Sequence, residues 1–350
     1  MRGVVCCTLV CIVSLFGELS AQTLNAELKK IYARRGDTLS MEEYMQTLKE
    51  MDGAAAKLVC EIADARERSV VTLLWHTYQR ENIYRFWKAK GGRPTDLQKL
   101  RSCQLSCDPD VPEMELLSEV DLNYVLDWYF YVNKFPDTYS RIKECLYGIK
   151  SENVRNLYAL GLLERELRER GVGKGMESVF EAFRCCSKTP ETVKRVNELE
   201  KMYMPVRQDA VALDIELPDD KGKVFHLKEL REKNVFICVW SLDSVNGAKE
   251  LDVFAGAMNV NNNWGENGIV YVNVAVGTEK DQRKWKEILK EKKQTREMVN
   301  LFCDRSKHSF FKDYVIETLP RYIFVDSDGY LRSAWFVSPD DLHFKRLFRN

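Results

Sequence analysis

Sulfur, imidazole and hydroxyl groups are what this chain offers for covalent chemistry, and their spacing limits each of them. The 350 residues hold 11 cysteines and four histidines. Cys103 and Cys107 make a C-x-x-x-C in RSCQLSCDPD. That spacing suits a local disulfide or part of a metal site, but no cysteine or histidine at tight spacing completes a ligand set, so no metal is expected. Cys185 and Cys186 are adjacent, where direct bonding is strained, and pairing of one with a distant partner is the simpler reading. Cys238 in FICVW and Cys303 ending VNLFC read as buried small hydrophobes. In residues 239–251, VWSLDSVNGAKEL, Ser244 would need a base for hydrolysis. His76, His226, His308 and His343 are scattered without a triad-like signature, and His226 reads as a surface or edge residue. Asp243, Ser244 and Asn246 serve more simply as caps of a following helix, worth ~1 kcal/mol.

The elements that position these groups follow from periodicity. VFICV (235–239) and IVYVNVAV (269–276) are β-branched apolar runs, suited to strands covered on both faces. Residues 279–293 are charged and helix-favouring, with Trp285, Ile288 and Leu289 on one face. Ser327-Asp328-Gly329 signals a hairpin into a returning strand over 330–337. Pro339 opens a further helix with Leu342, Phe344 and Leu347 as its contacts. The order β-β-α-β-α-β-β-α predicts a mixed sheet flanked by helices.

Three stretches carry a resemblance. DIELPDDKGKVFHL (214–227) has a short strand, a D-x-x-G turn and a second strand. LPRYIFVDSDG (319–329) has a proline opening a strand that ends in Asp before a D-G turn. VWSLDSVNGAKEL runs strand, turn, helix. Together, over roughly residues 205–350, these resemble the thioredoxin-like redoxins of the TlpA and AhpC/TSA type. The resemblance implies that Pro320 is a cis proline facing the turn at Ser244. It also implies a W-C-x-x-C in that turn. Here Ser244 stands where the attacking cysteine belongs and Gly247 where the resolving one belongs, with Val245 and Asn246 between. Thiol–disulfide exchange needs both sulfurs, and neither is present. Restoring cysteine at both positions is expected to return some activity, because the helix N-terminus lowers a thiol pKa. The groove of such proteins would be formed here by the turn from Leu242 to Asn246 with Leu319 and Pro320, and Trp240 packed beneath.

The rest of the chain is helical in pattern. Residues 23–204 show long helical periodicities broken by Pro94, Pro109, Pro112 and Pro136, and no fixed-period repeat. Ser151 caps a helix running to Arg170, stopped by Gly171-Val172-Gly173. Thr189-Pro190 opens another. The aromatic run DWYFYV (127–132) reads as inter-helix core, with part of it as a partner-binding patch the alternative. Such helical domains precede redoxin domains in some bacterial envelope proteins. At the start, Arg2, an apolar run over 4–16 and Leu19-Ser20-Ala21 read as a cleavable export signal. The run is too short to span a bilayer comfortably. The expected organisation is a signal peptide (1–21), a helical domain (22–204) and a thioredoxin-like domain (205–350).

With 53 basic and 53 acidic residues the formal net charge is zero, which gives no reason to expect nucleic acid. No cofactor is expected. The expected protein is exported, periplasmic or secreted, and redox-inactive at the usual site. It would act as a binding or scaffolding protein for polypeptide or other envelope components. The alternative is a thiol–disulfide oxidoreductase or peroxidase-like protein using Cys238, Cys303 or the Cys103/Cys107 pair.

Overall fold

A computed structural model of the chain describes residues 40–89, 91–92, 108–132, 137–244, 247–260, 268–341 and 344. The expected signal peptide, Cys103, Cys107, Val245 and Asn246 lie outside the described residues. Two compact units emerge, Met1–Leu162 and Leu163–Asn350. The division falls inside a helix and upstream of the expected boundary at 204/205.

The first unit contains α1 (Met41–Glu61), α2 (Ala65–Ala89), α3 (Glu119–Val132), α4 (Thr138–Gly148) and the start of α5 (Glu152–Arg170). Local chemistry starts these helices where the sequence allows it. Ser40 and Glu43 form a reciprocal capping box at α1. Asp137 accepts from the Ser140 amide at 2.8 Å to cap α4, and Ser151 Oγ accepts from Val154 N at α5. Within the run 127–132, Trp128 and Phe130 are buried. Phe130 stacks on Tyr158 at 5.6 Å, and the Tyr158 hydroxyl donates to Asp127 at 2.8 Å. None of the helices among the described residues is long and apolar enough to cross a membrane.

The second unit takes the last turns of α5, then α6 (Met176–Cys186) and α7 (Pro190–Tyr203). Proline stands at the first position of α7, while the Thr189 side chain makes no capping bond. Next come a hairpin of β1 (Glu216–Pro218) and β2 (Val224–His226), then β3 (Asn234–Ser241), α8 (Gly247–Val260), β4 (Ile269–Gly277), α9 (Gln282–Glu291), β5 (Val299–Asp304), α10 (Phe310–Asp313), β6 (Arg321–Val325) and β7 (Leu331–Phe336). The main sheet has the order β5-β4-β3-β6-β7. β3, β4 and β5 are parallel, while β6 pairs antiparallel with both β3 and β7. The Asp219–Gly222 turn closes the small hairpin through Gly222 N to Asp219 O at 3.0 Å. Gly329, at φ 85, closes the β6–β7 turn. β5 is an addition to the expected strand order. Its apolar run is interrupted by Asn300 and ended by Asp304, so it lacks the continuous pattern of its neighbours.

Edge pairing completes the sheet. Asp209 N and Leu331 N exchange hydrogen bonds with Leu331 O and Ala210 O, and Ala212 N donates to Gly329 O. On the other side Asp219 bridges to Leu301 of β5.

Candidate functional site

The site is built on the end of β3. Phe236, Cys238 and Trp240 point into one core layer, against Leu251, Phe254 and Met258 of α8, Trp285 of α9, and Tyr322 and Phe324 of β6. Trp240 lies beneath the turn. Its indole Nε1 donates to Asn273 Oδ1 at 2.5 Å, and Asn273 donates to Asn300 Oδ1 at 2.8 Å. Asn300 in turn donates to the carbonyls of Thr295 and Met298. This buried polar chain ties three parallel strands together with its members' needs met.

The turn follows directly. Leu242 is also core: its amide donates to Val276 O at 3.0 Å, and its carbonyl accepts from Lys284 Nζ at 2.7 Å. Asp243 and Ser244 are exposed. Asp243 N donates to Ser241 Oγ at 3.2 Å, and Ser244 O accepts from Gly247 N at 3.0 Å. The register Val239↔Arg321 brings the start of β6 beside this turn. The Leu319-Pro320 bond there is cis, with Leu319 half-buried and Pro320 exposed. Of the expected groove residues, Ser244, Leu319 and Pro320 thus reach the surface, and Trp240 and Leu242 support them from below.

Gly247, which the resemblance sets at the position of a resolving cysteine, is tightly enclosed. A Cβ at this position would lie 2.0 Å from Ser241 O and 3.1 Å from Trp240 Cε3. The start of α8 rests on the backbone that ends β3. A side chain at position 247 therefore does not fit without a shift of main chain at the end of β3 or the start of α8.

Two of the other candidate nucleophiles, Cys238 and Cys303, are buried, and Cys103 and Cys107 lie outside the described residues. Among the described residues Cys60, Cys145, Cys185, Cys238 and Cys303 are free thiols. Cys185 lies on α6, its Sγ 3.7 Å from Glu181 Oε1 four residues back. Burial pushes the Cys238 thiol up, with Glu250 adding to it. Burial and Asp304 raise Cys303 to about 12. Both thiols hold their protons at neutral pH, the reverse of what nucleophilic sulfur needs. Neither His226 nor His308 is arranged as a base for Ser244. His226 Nδ1 lies 3.0 Å from Asp214 Oδ2, and His308 Nδ1 accepts from Asp304 N.

Asp214, Glu216 and His226 converge on the small hairpin, a cluster the sequence reading did not assemble. The pairing Glu216↔His226 explains it, since cross-strand partners share a face. Lys228 Nζ already sits 3.1 Å from Asp214 Oδ2. The cluster is thus a hydrogen bond between His226 and Asp214 with Lys228 beside it and Glu216 Oε1 3.9 Å from His226 Nδ1.

A five-stranded mixed sheet with a β-α-β start, a helix on the central strand and a cis proline opening the antiparallel strand defines a thioredoxin-like domain. Residues 208–334 match the AhpC/TSA family, which makes this a thioredoxin-like redoxin domain of that type. Similar solved structures include the thioredoxin domain of a thiol-disulfide oxidoreductase from Bacteroides vulgatus, at 20% identity and TM-score 0.34, spanning 41% of this chain and 98% of that one. A thiol:disulfide interchange protein from Bacteroides sp. shows 21% identity and TM-score 0.34, over 41% and 90% of the two chains. A thioredoxin-like protein from Bacteroides caccae shows 13% identity and TM-score 0.47, over 67% and 95%. No curated protein matches the chain.

Proposed function

We propose that this is an exported redoxin-domain protein that has given up dithiol chemistry at the usual turn and binds extended polypeptide along the strip formed by Ser244, Leu319 and Pro320. The observation that carries this reading is the closure at Gly247: the second sulfur is missing and its space is taken by Ser241 O. A turn with one open position could still house a one-cysteine enzyme, but Ser244 leaves that position without sulfur as well. The half-buried Leu319 beside exposed Pro320 offers an apolar edge where main-chain pairing could supply affinity. The leader over residues 1–21 supports export.

Two measurements test it. The purified full-length mature protein should not reduce insulin disulfides above background. Robust turnover would reject the reading and direct attention to Cys103 and Cys107. Labelled, reduced and carboxymethylated lactalbumin, an extended polypeptide, should bind the protein, and Leu319→Asp should weaken that binding at unchanged melting temperature. A large stability loss with unchanged binding would make Leu319 packing and remove the strip. N-terminal sequencing of envelope protein should begin near Gln22; an intact Met1 in a membrane fraction overturns export.

A further inference from the structure

The residues leading into the strip are held by a polar and aromatic cluster that no motif marks. Glu317 accepts from Arg168 Nε at 3.2 Å, on the last turn of α5, and from the Tyr203 hydroxyl at 3.3 Å, at the end of α7. Leu319 and Pro320 follow two and three residues later. Beyond them the buried Arg321 sets its guanidinium 4.3 Å from the Trp335 ring centroid and donates to Ala334 O. Trp335 returns to the same two helical residues: its Nε1 donates to Arg168 O at 3.0 Å, and Tyr203 stacks on its ring at 5.8 Å. Gly171, at φ 70, lets α5 end against that ring, for a Cβ would fall 2.2 Å from Trp335 Cε3. Arg168 and Tyr203 are therefore gripped twice, once before the cis bond and once after it.

The two grips differ in kind. The Trp335 contacts are packed, and removing them would disturb β7 and the end of α5 together. The Glu317 contacts are half exposed, at 45% for Glu317 and 55% for Arg168, and an ion pair of that exposure adds little to global stability. A contact of small energetic weight that joins two helices to one short loop is suited to setting that loop's pose.

We propose that Glu317 is a positioning residue of the strip: through Arg168 and Tyr203 it fixes Leu319 and Pro320 relative to the ends of α5 and α7, so that the seating of these helices sets the strip's geometry. As a device for ligand binding this rests on the strip reading above, whereas the tether itself is measurable without any ligand.

Hydrogen exchange followed by mass spectrometry on the full chain tests the tether. Glu317→Ala should speed exchange across residues 315–320 by about two- to fivefold, the range for loss of a half-exposed pair with its neighbouring hydrogen bond, while β3, β4 and the melting temperature stay unchanged. Glu317→Gln, which keeps an acceptor for Tyr203, should fall between. Arg168→Ala combined with Glu317→Ala should add nothing beyond Glu317→Ala, since the pair acts as one unit. Unchanged exchange in Glu317→Ala, or additive effects in the double variant, overturns the proposal. The same variants are then offered labelled carboxymethylated lactalbumin. Weakened binding by Glu317→Ala extends the tether to function. Binding by the unmodified protein that Glu317→Ala leaves unchanged rejects the positioning role, and no binding by the unmodified protein rejects the strip reading while the exchange result stands.

Discussion

Gly247→Ala is the most direct question to put to the turn. The added carbon would stand 2.0 Å from a backbone oxygen, Ser241 O, more than 1 Å inside an ordinary contact. Because the opposing atom is main chain, no rotamer change relieves it, and either the end of β3 or the start of α8 must shift. Overpacking of this kind costs roughly 1–3 kcal/mol. Alanine would return up to ~1 kcal/mol of helix propensity, less here because Gly247 is the first residue of α8. The net expectation is a loss of about 2 kcal/mol, read as a fall in melting temperature of about 4–8 °C for a unit of this size. Urea unfolding with tryptophan fluorescence measures it. The same reasoning predicts that Ser244→Cys with Gly247→Cys is at least as unstable and gains no insulin-reducing activity. A stabilised Gly247→Ala, or an active double variant, would refute the closure and reopen the turn to dithiol chemistry.

The buried chain and the buried thiols give further expectations. Asn273→Leu should cost about 2–3 kcal/mol in chemical unfolding, because it strands the Trp240 indole N–H and an Asn300 acceptor; a neutral result would mean that neither group depends on Asn273. In native protein at pH 8, Cys238 and Cys303 should not react with an aromatic disulfide reagent, whereas exposed Cys60 and Cys185 should; equal labelling of all four would contradict the burial. Cys303 is raised from 9.0 to about 12 in the folded protein. The unfolded thiol therefore ionises first, and its contribution to stability, whole below pH 9, is lost as pH rises from 9 toward 12. Cys303→Ala should flatten the decline in melting temperature across that window, and an unaltered slope would assign the decline to other groups.

Much of the C-terminal fold was written in local pattern. VFICV and IVYVNVAV became β3 and β4, and the Ser327-Asp328-Gly329 turn joined β6 to β7. These features are legible because each depends on residues next to one another. β5 was hidden because Asn300 faces inward to serve Asn273, so a polar residue sits where periodicity expects an apolar one. At the site, only the family resemblance marks Ser244 and Gly247 as standing where two cysteines are expected, and the contact of Gly247 with Ser241 O exists only once the chain has turned. The Glu317 cluster draws on positions 168, 203, 317 and 335, too far apart in sequence for any spacing to announce.

The paired margins of the main sheet bear on how copies of this protein meet one another. A bare strand margin is a template on which other chains add, and sheets that leave one open are prone to join edge to edge. Residues 209–212 occupy the opening stretch of β7 with main-chain hydrogen bonds, and the end of β1 touches β5 at Leu301. Ladder growth through those stretches is blocked from both flanks. Self-association through the start of β7 would first require residues 209–212 to peel away, which sets a local opening cost against edge-to-edge pairing there.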